Sequence, residues 1–158
     1  MKKIKIIIFV IVLITSFSAS AQSYDEERII LGNFVQRLYT SSPFEGCRII
    51  DDYDSNYLLS VVALDDTKYK TRSALNRMSQ VKSQRNAGEF LNGTQSFSEF
   101  VIQTPKCQEK GTSKDVSESI EYIKTNSTGY VQQMQLLTSF KDEEGLAVFI
   151  YFKELKAK

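Results

Sequence analysis

Leu58-Leu59-Ser60-Val61-Val62-Ala63-Leu64 is apolar nearly throughout. A run of this kind belongs at the centre of a sheet, where both faces are covered. The polar stretch Asp51 to Asn56 precedes it, and a second β-prone run, Cys47–Ile50, precedes that. The three together predict a hairpin or strand pair.

Toward the C-terminus, Asp65-Asp66-Thr67 reads as a helix entry. The helix it opens runs from Lys68 to about Leu91, with Leu75, Met78 and Val81 on its buried side and Ala74 and Ala87 as small contacts. Gly88 and Asn92-Gly93 mark its far end. A strand over Thr94–Thr104 follows, stopped by Pro105, and residues 106–114 read as a polar loop. Residues 115–127 fit either a short helix or a strand. The chain closes on its clearest hairpin, Tyr130–Phe140 and Leu146–Leu155, joined by Lys141-Asp142-Glu143-Glu144-Gly145 with a glycine suited to positive φ.

Toward the N-terminus, Ile30, Leu31, Phe34, Val35 and Leu38 recur at helical spacing. They make one apolar stripe on a helix from Tyr24 to Thr40, which Ser41-Ser42-Pro43 ends. The whole order predicts an α+β domain: a mostly antiparallel sheet, helices packed on one face, and a C-terminal β-hairpin.

Residues 1–21 have the pattern of a secretory signal. Lys2, Lys3 and Lys5 precede an apolar run from Ile6 to Ile14, and Ala19-Ser20-Ala21 is a cleavage site before Gln22. That run is too short to span a bilayer. The expectation is an exported protein, periplasmic or secreted, with a single domain over 22–158 and no transmembrane segment after cleavage. Removing Lys2, Lys3 and Lys5 takes Lys and Arg from 20 to 17 against 19 acids, a net charge of about −2. Charge of that size names no partner by its sign. Nucleic acid is not expected of an exported chain.

Cys47 and Cys107 are the two cysteines. An even count in an oxidising compartment predicts one disulfide, restricting the unfolded chain by roughly 4 kcal/mol. A redox pair would instead present Cys-x-x-Cys, which is absent. The chain has no histidine. This excludes a Ser-His-Asp triad, a Cys-His dyad and a His-ligated zinc site, since each needs an imidazole. No catalytic, cofactor or metal residue is therefore assigned.

Asp52-Tyr53-Asp54-Ser55-Asn56 opens like a calcium loop, but Tyr57 and Ala63 stand where an EF-hand needs glycine and glutamate. A turn explains it better. Lys68, Lys70, Arg72, Arg77, Lys82 and Arg85 make the second helix cationic. Of these, Lys68, Lys70, Arg77, Lys82 and Arg85 are candidates for an anion site taking a glycan, a lipid phosphate or a headgroup. The alternative is a solvated helix face.

From Tyr57 onward the layout resembles a family of small bacterial envelope lipoproteins of about twenty kilodaltons, and the related fold of flagellar-assembly proteins. The residues that carry this are Leu58–Leu64, the helix ending in Glu89-Phe90-Leu91 and the strand Thr94–Thr104. To these are added Asn126-Ser127-Thr128-Gly129-Tyr130-Val131 and the closing Leu146–Phe152. The resemblance implies an envelope module without a defined catalytic site. The chain lacks the family's lipidated cysteine, so anchoring does not carry over. The expected function is a non-enzymatic exported domain that binds an envelope component (glycan, lipid headgroup or protein). The alternative is a small carboxylate-dependent hydrolase acting on envelope glycans.

Overall fold

The computed structural model describes residues 26–53, 55–93, 97–110, 129 and 131–155. The expected signal, its cleavage point at Ala21 and Gln22, and the segment 115–127 lie outside the described residues. The chain divides between Ser42 and Pro43 into two compact units.

Helix α1 (residues 26–41) belongs to the first unit. Leu31, Val35 and Tyr39 are buried at four-residue spacing, whereas Ile30 is 56% exposed. The apolar stripe is therefore rotated from the expected one. The helix ends where Ser42 N donates to Leu38 O at 3.0 Å, because Pro43 has no N–H to continue it.

The second unit is built on a five-stranded sheet in the order β3-β1-β2-β5-β4. Its strands are β1 (Gly46–Asp51), β2 (Asn56–Leu64), β3 (Val101–Gln103), β4 (Gln135–Lys141) and β5 (Ala147–Leu155). The pairings β1–β2, β2–β5 and β4–β5 are antiparallel, and only β3 joins β1 in parallel. The fold is α+β with a mostly antiparallel sheet and a C-terminal hairpin. Every residue of β2 from Leu58 to Leu64 is buried, as its unbroken apolar run predicts. Leu58, Val62 and Leu64 join one core with Ile49 of β1 and Phe149 of β5. Ile50, Leu59, Val61, Val148 and Ile150, which the register turns to the opposite face, are equally enclosed. Each such side chain contributes about 1.5–3 kcal/mol over leaving it in water.

Helix α2 (Arg72–Asn92) packs on the first of these faces. It starts later than Asp65-Asp66-Thr67 suggests. Asp65 caps only a single 3₁₀ turn, Asp66–Lys68, after which Tyr69 is extended at φ −115°. Thr71 then caps α2, its hydroxyl accepting from Ala74 N at 3.1 Å. The buried row is Leu75, Ser79, Ser83, Ala87 and Leu91. Met78 and Val81, expected inside, are 45% and 55% exposed. Small side chains let the helix come close to the sheet, and their hydroxyls are satisfied there. Ser79 Oγ lies 2.8 Å from the Tyr151 hydroxyl, and Ser83 Oγ donates to Met134 Sδ at 4.0 Å.

Of the expected strand Thr94–Thr104, residues 94–96 lie outside the described residues, and from 97 on only β3 is extended. Phe97–Phe100 forms a 3₁₀ turn instead. That turn sets the Phe100 ring edge-on to Phe90, centroids 5.4 Å apart, and 5.3 Å from the Arg48 guanidinium. The strand does end before Pro105, but a helix follows in place of the expected polar loop from residue 106. Pro105 is the first residue of α3 (Pro105–Lys110), a position where a missing N–H costs nothing.

Candidate functional site

Cys47 and Cys107 are both free and both buried, which overturns the expected disulfide. The register explains why. Cys107 Sγ donates to Asp51 O at 3.1 Å and to Asp51 Oδ1 at 3.2 Å. Asp51 lies four residues beyond Cys47 on β1, about 13 Å away at ~3.3 Å per residue. A disulfide needs Cα atoms within ~4.4–6.8 Å. Burial pushes the Cys47 thiol up to about 12. Burial, and then the Asp51 carboxylate, also raise the Cys107 thiol. Both shifts disfavour the thiolate, which is the reactive form.

Asp51 is fully buried. Its Oδ1 also accepts from Tyr53 N at 3.1 Å, and its carbonyl from Thr104 N at 3.0 Å, tying the end of β1 to the start of α3. Asp52 turns the other way. One of its oxygens accepts from the Thr104 hydroxyl and the other pairs with Lys106 Nζ at 3.0 Å. The Asp52–Asn56 stretch thus spends its first carboxylate on a lysine, and Asp54 lies outside the described residues. Among the described residues no group of three or more His, Cys, Asp or Glu is arranged to hold a metal ion.

The candidate cations separate into two sets. Lys68 pairs with Asp65 at 3.5 Å, Lys82 with Glu45 at 3.5 Å and Arg85 with Glu89 at 2.8 Å. Exposed pairs of this kind contribute ~0–1 kcal/mol each. Lys70, Arg72 and Arg77 have no ion pair among the described residues. Arg77 neighbours the exposed Met78 and Val81 on the outward side of α2.

Sequence reasoning missed a cleft of ≈ 330 Å³ where the start of α2 overlies β4 and β5. Leu75, Ala147 and Phe149, all buried, form its apolar part, and the half-buried Tyr69 adds a ring. Thr71, Arg72 and Ser139 stand at its exposed rim. Lys141 Nζ pairs with Asp66 Oδ2 at 2.7 Å on the same rim. The only sequence signal was an aromatic, a helix cap and a cation in close succession, Tyr69-Lys70-Thr71-Arg72.

Among the described residues no helix is long and apolar enough to cross a membrane. Comparison with models of known protein families, with curated proteins and with solved structures finds no match to this chain.

Proposed function

We propose that this is an exported, non-catalytic domain that works by contact with the anionic lipid surface of a bacterial envelope. The observation that carries the reading is the outward side of α2. There Arg77, without an acidic partner among the described residues, neighbours two exposed apolar side chains, Met78 and Val81. Of the other cations of α2, Lys82 and Arg85 are paired with Glu45 and Glu89 and Arg72 stands at the cleft, so Arg77 is the charge that this side offers. Cations draw such a face to phosphate headgroups, and short apolar side chains then enter the interface. A soluble glycan would satisfy the cations but gives Met78 and Val81 nothing to enter. The non-catalytic part is supported by the missing histidine, the protonated thiols and the enclosure of Asp51. The export part rests on residues 1–21.

The test is cosedimentation of residues 22–158 with phosphatidylglycerol-rich vesicles and with phosphatidylcholine vesicles. Binding is expected to the first set only, falling with added salt. Arg77→Glu is expected to abolish it while the circular dichroism spectrum stays unchanged. Equal binding to both sets, or full binding by Arg77→Glu, would overturn the proposal.

A further inference from the structure

The cleft at the start of α2 lies apart from the outward Arg77 side and has its own chemistry. We infer that it is a binding site for a small amphiphile: one carboxylate or phosphate group carried on a ring-sized apolar body. This goes beyond the contact function proposed above by adding a second, small-molecule site.

Volume sets the first limit. A space of ≈ 330 Å³ is at the lower end of the range ligand pockets occupy, ~300–1,000 Å³. It admits a ring or short chain. The lining sets the second. Leu75, Ala147 and Phe149 with Tyr69 beside them offer apolar area that an ion alone would not use. Convergent polar groups set the third. Arg72 makes no hydrogen bond or ion pair among the described residues, and neither does the Ser139 hydroxyl. The Thr71 hydroxyl already accepts from Ala74 N, which leaves its hydrogen to donate. Three donors therefore line the polar rim of an apolar hollow. The rim acid, Asp66, is neutralised by Lys141 at 2.7 Å and does not oppose an anion. A guanidinium also takes a carboxylate or phosphate through two parallel bonds.

Nuclear magnetic resonance titration of residues 22–158 tests this with four probes: benzoate, phenyl phosphate, inorganic phosphate and benzyl alcohol. The two anionic ring compounds are expected to shift Tyr69, Thr71, Arg72 and Ser139 resonances saturably. Phosphate alone and the neutral alcohol are expected to bind at least ten-fold more weakly. Arg72→Ala is expected to weaken benzoate about ten-fold. Ser139→Trp, on the exposed edge strand, is expected to block entry with the rest of the spectrum preserved. Equal binding of benzyl alcohol, equal binding of inorganic phosphate, or shifts confined to residues outside the cleft would each overturn the inference. Vesicle binding through Arg77 is read separately, so loss of the cleft site and loss of the lipid contact are distinguishable.

Discussion

Cys47 faces Ser60 across the β1–β2 pair, and its thiol is held protonated by burial. The consequence for stability has a definite sign. The unfolded chain loses this proton near the ordinary thiol value, whereas the folded chain keeps it to about 12. The stabilisation is complete below the unfolded value and lost as pH rises through that window, by about 1.4 kcal/mol per pH unit. Urea unfolding at pH 8 and at pH 10.5 should therefore show an alkaline loss in the wild type that shrinks in Cys47→Ala. Reactivity follows from the same burial. Iodoacetamide should leave the native protein unmodified, then add two groups in denaturant without any reductant, as read by intact mass. No addition without reductant, and two with it, would restore the disulfide.

At the scale of elements, the β4–β5 turn depends on Gly145, whose φ of 84° suits glycine. Asp142 organises the same turn, its carbonyl accepting from Gly145 N at 3.1 Å and its carboxylate from Leu146 N at 2.8 Å. Gly145→Ala meets open space but a strained backbone, and should lower stability by about 1–2 kcal/mol in chemical denaturation. Helix α2 makes the complementary point. Ser83→Leu should destabilise by about 1–3 kcal/mol through overpacking against the sheet. Met78→Ser should change little, within about 0.5 kcal/mol. A hydropathy reading gives the opposite ranking. β2, β5 and the later half of the first hairpin strand (β4 starts at Gln135, not Tyr130) were legible because alternation and unbroken apolarity record burial directly. The seat of α2 was not, because a serine whose hydroxyl meets Tyr151 or Met134 counts as polar in sequence and as core in space. Thr94–Thr104 misled for a related reason: Phe100 is drawn to Phe90 and Arg48, which favours a turn over extension.

For the whole molecule, protection should follow position in the sheet. Amides of β2 and β5, each bonded on two sides, should exchange slowest in native-state hydrogen exchange, and β4, bonded to β5 alone, sooner. Fast exchange in β2 would contradict the sheet order. The same long-range assembly explains what the sequence concealed about sites. Among the described residues Lys70 and Arg77 have no ion pair, while Lys68, Lys82 and Arg85 meet acids, two of them within four residues along the chain. The cleft draws on residues 66–75, 139–141 and 147–149, and no local pattern announces a meeting of three segments.

β2 lies between β1, its neighbour in the chain, and β5, the last strand described. A polypeptide delivered from its N-terminus must therefore wait. Until Ala147–Leu155 arrives, one edge of the most apolar strand has no mate, and α2 has no Phe149 or Tyr151 to lie against. The sheet closes on its most apolar strand only once Ala147–Leu155 is in place. A version ending at Gly145 should accordingly remain soft and sticky, binding hydrophobic dyes and precipitating. Supplying residues 146–158 as a separate peptide should rescue it by filling the vacant central lane.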